Sequence, residues 1–235
     1  MVIEDMRNTE VMGQPEEWFV PWSPTKSGVD WADAFRSVKR RASNPDGVFS
    51  IKVMANQLSS VEGCLATFMR TEKPGIYPNF AEAFSDCAWI RLIRQDVVSQ
   101  AISRVMSRQT GINHATEKKS DPHFAGNLQK GYDKNYNRKT TYKFDKIFEE
   151  VQAVVLENLA WERFFESNKI EPVELVYENI ASDPTMGHLD IISKSANIGK
   201  PFTRTPRKLV KLANERNKEW REAFFEDAAA RNFRI

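Results

Sequence analysis

The chain has 235 residues, of which 41% are hydrophobic and 28% are charged, a composition that excludes a disordered or fibrous protein and indicates a globular one. Its 34 lysines and arginines against 32 acidic residues give a net charge of +2, so we expect no nucleic-acid partner, and any anion site must be local. No apolar run approaches membrane-spanning length, and the acidic first ten residues do not form a secretory signal.

Cysteine and histidine usage favours neither a disulfide framework nor a metal centre. Cys64 and Cys87 are the only cysteines, and their spacing is not that of metal ligands. The histidines, His114, His123 and His188, are scattered along the chain. We therefore expect a reduced, cytoplasmic protein without a metal.

The pattern of apolar residues predicts helices and strands in alternation. An irregular stretch rich in proline and glycine, 13–28, comes first. The predicted helices cover 29–41, 57–70, 81–86, 97–110, 144–168, 186–196 and 206–231, and the predicted strands cover 48–54, 89–94 and 173–177. This alternation predicts an α/β fold with a mostly parallel sheet.

Residues 89–111 form the most informative stretch. An apolar run over 89–93 is typical of a strand covered on both faces, and Arg94 closes it. Asp96 is a candidate N-cap for an amphipathic helix whose apolar stripe is Val97, Val98, Ala101, Ile102, Val105 and Met106. Ser99, Ser103 and Ser107 occupy another face of that helix. A strand, an arginine and a hydroxyl-bearing helix together predict a phosphate site at the carboxyl end of a sheet.

A long polar stretch, 113–143, has no clear period and is expected to act as a lid or a flexible loop. Between Lys118 and Lys143, basic residues alternate with tyrosines. A solvated loop is the first interpretation, a lid over a sugar or anionic acceptor the second, and a nucleic-acid surface the third. The basic residues of 204–221 favour a solvated helical face over a phosphate site.

Several segments together resemble the NodH-like bacterial carbohydrate sulfotransferases, the family that includes the mycobacterial trehalose sulfotransferase. The segments are GQPEEWF at 13–19, GVFSIKVM at 47–54, IRLIRQDVVSQAIS at 90–103, RQTG at 108–111, and WERFFESNKIEPVELVYENIASDP at 161–184. The resemblance implies one domain over 1–235 with a P-loop-like, mostly parallel sheet flanked by helices. It also implies sulfuryl transfer from 3′-phosphoadenosine 5′-phosphosulfate (PAPS) to the hydroxyl of a sugar or glycolipid.

The resemblance further implies a binding site for the donor's 3′-phosphate. That site is Arg94 with Ser103, and Ser99 is the less favoured hydroxyl. A guanidinium offers a planar fork to phosphate oxygens, and a hydroxyl adds a further donor. The alternatives are an ion pair between Arg94 and Asp96 and serines that are plain surface positions.

Two catalytic residues are also implied by the resemblance. Glu17 would be the general base that takes the proton of the acceptor hydroxyl. On residue chemistry alone, a solvated loop glutamate or an N-cap partner is favoured instead, and Glu16 is a neighbour easily confused with it. Lys52 would stabilise the charge that develops on the leaving phosphate, and its alternative is a solvent-facing position in a strand.

The family's Arg-Ser-Gly-Ser-Thr type loop, which holds the phosphosulfate end of PAPS, is expected to be missing together with its strand. Only residues 1–12 precede Gly13, and they contain no Gly/Ser-rich anion cradle. A truncated chain, a misplaced start codon and loss of donor activation all explain this. An active PAPS-dependent enzyme and an inactive nucleotide- or sugar-binding protein therefore both stay open. A nucleotide kinase is disfavoured, because no Gly-x-x-x-x-Gly-Lys-Ser/Thr motif occurs.

Overall fold

The computed structural model describes residues 1–120, 128–129 and 131–233. The helices are α1 (Val2–Asn8), α2 (Trp31–Ala42), α3 (Leu58–Leu65), α4 (Pro78–Ala83), α5 (Val97–Thr110), α6 (Phe144–Ser167), α7 (Tyr177–Ser182), α8 (His188–Ser195) and α9 (Glu215–Ala230). A 3₁₀ turn, Ala55–Gln57, precedes α3. The strands are β1 (Ile90–Ile93), β2 (His114–Thr116), β3 (Leu128–Gln129), β4 (Val173–Val176) and β5 (Leu209–Val210).

Within the described ranges, the strands form two small sheets. In the first, β1 and β4 are parallel, and their register runs from Ile90 opposite Val173 to Ile93 opposite Val176. In the second, β2 lies between β3 and β5, parallel to β3 and antiparallel to β5. The described residues thus form a mixed α/β structure in which most strand pairs are parallel.

The chain divides into two compact units. Unit 1 comprises Met1–Ile93 and Glu157–Thr205, and unit 2 comprises Arg94–Leu156 and Pro206–Ile235. The interpretation of 1–235 as one domain stays a prediction. No helix within the described part of the chain is both long enough and apolar enough to cross a membrane.

Aromatic rings dominate the larger core of unit 1. Phe19 packs edge-on against Trp22 with ring centroids 4.8 Å apart, and Phe80 lies 5.5 Å from Phe164. Each such pair contributes about 0.5–1.5 kcal/mol beyond the burial of its area. The aliphatic and thiol members of this core are Val38, Leu58, Val61, Cys64 and Leu65. Because Phe19 and Leu58 are fully buried, they fix the chain on both sides of the site described below.

Three helices build the core of unit 2. The stripe predicted for α5 is buried at Val98, Ala101, Ile102, Val105 and Met106. It packs with Phe144, Ile147 and Val151 of α6 and with Trp220, Phe224 and Ala228 of α9. This confirms the amphipathic reading of 97–110 and of the later part of 206–231.

Some predicted elements were wrong. Leu92 of β1 is 50% exposed, so this strand is not covered on both faces. Residues 206–214 are not helical, because Leu209–Val210 pair with β2 instead. The predicted strand over 48–54 is reduced to isolated bridges at Phe49 and Ile51.

The stretch 113–143 contains ordered elements. It includes β2, β3 and a run of turns over 134–139. The buried side chains of Asn137 and Thr140 anchor those turns. Residues 121–127 and 130 of the predicted lid, including His123, lie outside the described residues. The lid stays a prediction.

Candidate functional site

Two short segments of unit 1 lie side by side and carry the predicted catalytic residues. Gly13 has φ +75°, and a Cβ at this position would lie 2.7 Å from the backbone nitrogen of Ser50, so only glycine allows this close approach. Three residues after Gly13, the carbonyl of Glu16 accepts the Lys52 N–H over 3.0 Å. Glu16 and Ile51 form a parallel bridge. The backbone contacts therefore place residue 17 beside residue 52.

The structure brings Glu17 and Lys52 together. The Lys52 Nζ lies 2.6 Å from the Glu17 Oε1, and each side chain is 38% exposed. An ion pair this exposed contributes about 0–1 kcal/mol to stability. The pair therefore matters less for folding than for placing an acid and a base side chain in contact at an accessible position.

Gln57 makes the second contact to the same carboxylate, and sequence reasoning missed it. Its Nε2 donates to the Glu17 Oε2 over 3.4 Å, while its Oε1 accepts the Met54 N–H over 3.0 Å. The contact joins residues 40 positions apart. The sequence around a glutamine that precedes a helix does not indicate which distant residue it will contact.

Glu16 and Glu17 have different surroundings although they are neighbours in sequence. Glu16 forms an ion pair of 2.7 Å with Arg7 of α1. Glu17 faces Lys52 and Gln57. The structure thus separates two carboxylates that the sequence left easy to confuse.

In unit 2, α5 begins at the predicted N-cap. The Asp96 carboxylate accepts the Ser99 N–H over 2.9 Å and the Ser99 hydroxyl over 2.8 Å. It also pairs with the Arg221 Nε at 3.2 Å. Burial alone would raise the pKa of Asp96, but the hydrogen bonds from Ser99 and the Arg221 guanidinium together hold it below its ordinary value.

The predicted phosphate-binding residues also lie in unit 2. Arg94 is half-buried and directly follows β1, two residues before the N-cap. Ser99 and Ser103 are both half-buried and four residues apart, so they share a face of α5. The Ser99 hydroxyl donates to Asp96, whereas Ser107 donates to Asn113. The hydroxyls of Ser99 and Ser107 therefore already donate to acceptors within the protein.

Several basic residues of the last predicted helix make structural contacts. Arg216 donates to the Thr140 hydroxyl over 3.0 Å, and Lys218 pairs with Glu215 at 3.3 Å. The tyrosines of the segment before α6 are also engaged in packing. The Tyr142 hydroxyl donates to Asp227 over 2.8 Å. Burial and the Asp227 carboxylate raise the pKa of Tyr142, and burial raises that of Tyr136 to about 12. These contacts favour a packing role for the groups involved.

No group of histidine, cysteine or acidic side chains in the described part of the chain is arranged to hold a metal ion. Cys64 and Cys87 are free thiols.

The match to a known family decides the class of chemistry. The model of the family described as Stf0 sulphotransferase matches residues 2–227. The chain belongs to the Stf0 sulfotransferase family. This confirms the family resemblance drawn from the motifs at 13–19 and 90–103, and it makes the protein a transferase of sulfuryl groups by family. No curated protein matches the chain in sequence.

Proposed function

We propose that this Stf0 sulfotransferase transfers a sulfuryl group from PAPS to a carbohydrate hydroxyl, on a sugar or a glycolipid, in the cytoplasm. The observation that carries the proposal is the contact between Glu17 and Lys52, two residues chosen from the family pattern and found 2.6 Å apart. A P-loop-like sulfotransferase fold is part of the same proposal, and the parallel pairing of β1 with β4 supports it.

Glu17 is the general base in the proposed reaction. As the acceptor oxygen attacks sulfur, the Glu17 carboxylate takes the hydroxyl proton. A bond forms between the acceptor oxygen and sulfur, and the bond between sulfur and the bridging phosphate oxygen breaks. Adenosine 3′,5′-bisphosphate leaves with that electron pair. The products are a sulfate ester and the bisphosphate.

Lys52 stabilises the negative charge that develops on the leaving phosphate oxygen. An ammonium group is a compact charge on a long flexible stem, so it can move between two anionic partners. In the structure it contacts Glu17, and its side chain is 38% exposed. We expect it to exchange this partner for the donor when PAPS binds.

Arg94 and Ser103 hold the donor's 3′-phosphate in this proposal, and Ser99 contributes less. The guanidinium would give two parallel hydrogen bonds to phosphate oxygens, and the Ser103 hydroxyl a third. The N-terminal end of α5 adds a favourable dipole for an anion, with Asp96 occupying its cap.

The proposal is tested by Glu17→Gln in a radiolabelled sulfate-transfer assay with PAPS and a panel of sugar acceptors. We expect kcat to fall about 10²–10⁴-fold, the usual contribution of a general base, because an amide cannot accept the proton. Glu16→Gln is the matched control, since Glu16 pairs with Arg7, and its turnover should stay close to that of the wild type.

Full turnover by Glu17→Gln would refute the assignment of the base. Bisphosphate binding without any sulfate transfer by the wild-type protein would instead support the alternative, a sulfotransferase-like protein that binds nucleotide or sugar without catalysis.

A further inference from the structure

We propose that Gln57 is a positioning residue for sulfuryl transfer, one that holds the Glu17 carboxylate in the orientation needed to accept a proton. The inference rests on the proposed function, because it assigns Gln57 a role through Glu17. It adds a residue that the family pattern did not indicate.

The orientation of the Gln57 amide follows from its two contacts. Its Oε1 accepts the Met54 N–H over 3.0 Å, and only an acceptor oxygen can satisfy that donor. The other end of the amide is therefore the NH₂ group, and it faces the Glu17 Oε2 at 3.4 Å. The Met54 contact thus determines that Gln57 presents a donor to the carboxylate.

Gln57 is also held rigidly. It ends the 3₁₀ turn Ala55–Gln57, and its N–H donates to the Met54 carbonyl over 2.9 Å. Leu58 and Val61, which follow it in α3, are 0% exposed in the aromatic core. Gln57 itself is only 9% exposed.

The two partners of Glu17 therefore have different properties. Lys52 is long, charged and 38% exposed, whereas Gln57 is neutral, buried and fixed by the backbone. When Lys52 turns to the donor, Gln57 remains as the contact that keeps the carboxylate from rotating. Misplacing a catalytic group by 1 Å can lower a rate by about 100-fold, so this contact has a kinetic consequence.

Two variants separate positioning from a merely structural role. Gln57→Met removes the hydrogen bonds to Met54 and Glu17 but keeps a side chain of similar length. Gln57→Glu keeps an acceptor for the Met54 N–H but replaces the donor to Glu17 with a second carboxylate. We expect both variants to lower kcat about tenfold or more, with the KM for PAPS changed less than about twofold. If Gln57 served only to hold the turn, Gln57→Glu would keep wild-type kcat, and that result would overturn the inference.

The double variant Glu17→Gln/Gln57→Met completes the cycle. Because Gln57 acts through Glu17, we expect the double variant to be no slower than Glu17→Gln alone. Independent, multiplicative losses would contradict the inference. Wild-type turnover in Glu17→Gln would refute the proposed base itself, whereas a slow Glu17→Gln with a fast Gln57→Met would refute only the role of Gln57. Thermal melting of each variant checks that a loss of kcat is not a loss of folded protein.

Discussion

At the scale of single residues, Ser99 and Ser103 share a face of α5 but differ in their hydrogen bonds. The Ser99 hydroxyl donates over 2.8 Å to the Asp96 carboxylate, the group that caps the helix by accepting the Ser99 N–H. Ser103 lies one turn further along and is half-buried. The Ser99 hydroxyl must break its bond to Asp96 before it can donate to a phosphate, and this difference favours Ser103 as the ligand residue.

We expect Ser103→Ala to weaken the binding of adenosine 3′,5′-bisphosphate about tenfold, the usual value of one hydrogen bond to a charged group. Ser99→Ala is the matched control and should change the affinity less than about twofold. Isothermal titration calorimetry measures both, with Arg94→Ala as the reference for a strong loss. The assignment fails if Ser99→Ala has the larger effect, or if Arg94→Ala binds like the wild type.

The residues of the site were predictable to different degrees. Glu17 and Lys52 came from the family resemblance, because on residue chemistry alone a loop glutamate is usually solvated. Gln57 could not be found at all, since its contact spans 40 positions and depends on tertiary packing. The location of Arg94 was the easiest to predict, because this residue follows an apolar strand and precedes the N-cap residue of a helix.

At the scale of elements, the beginning of α5 depends on Asp96. Its carboxylate accepts the Ser99 N–H, which would otherwise lack a partner in the first turn of the helix. Its pKa is held low by the Ser99 bonds and Arg221 against the opposing effect of burial. The charged form of Asp96 therefore stabilises the folded state.

We expect Asp96→Ala to lower the free energy of unfolding by about 1 kcal/mol, the usual value of an N-cap. Asp96→Asn retains capping but lacks the charge. Because the folded-state pKa is lowered, the charge contributes fully above the unfolded value of about 3.9, and its contribution is lost as the pH falls through the folded value. Urea denaturation from pH 7 to pH 2 should show the gap between wild type and Asp96→Asn closing below about pH 4. A gap that stays constant would contradict the charge effect.

Helices and strands were predicted correctly where a periodic pattern of apolar residues extended over many positions. They were predicted wrongly where the structure depends on pairing with a distant strand. The helices over 29–41 and 144–168 were found at α2 and α6, because many periodic positions define each one. Leu209 and Leu212 also fit the helical period that predicted 206–231, so the pairing of Leu209–Val210 with β2 was not visible in the sequence. The alternation over 48–54 predicted a strand, but only isolated bridges at Phe49 and Ile51 form there.

At the scale of the whole molecule, the aromatic core of unit 1 encloses the thiol of Cys64. Chemical modification of this thiol can be used to measure unfolding of the core. Cys64 is 0% exposed, and burial raises its pKa to about 11, with a smaller opposing effect of Lys26. Cys87 is half-buried and lines a cleft of about 450 Å³, so it has a route to solvent. The two thiols differ in access although both have raised pKa values.

We expect iodoacetamide at pH 8 to modify Cys87 in the native protein and Cys64 only when unit 1 unfolds, because the thiolate is the reactive form and must be accessible. Mass spectrometry of the two peptides over a urea gradient measures this. Modification of Cys64 should follow the loss of tryptophan fluorescence. Equal rates for both thiols without denaturant would contradict the packing described for this core.

The fold class was predictable from the sequence, but the division of the chain into two compact units was not. Alternating helices and strands predicted α/β structure with parallel pairing, and β1 with β4 confirms that pairing. The division into two units follows from which distant segments pack together. No local pattern in the sequence encodes that information.

The pairing of β1 with β4 also has a consequence for synthesis on the ribosome. Ile90 cannot pair with Val173 until the ribosome has added 83 further residues. At about 5–20 residues per second, the first strand spends about 4–17 s without its partner. During that interval an apolar strand with free edges is open to chaperones and to neighbouring nascent chains. Unit 1 can therefore complete its parallel pair only after the ribosome has synthesised the chain as far as Val176.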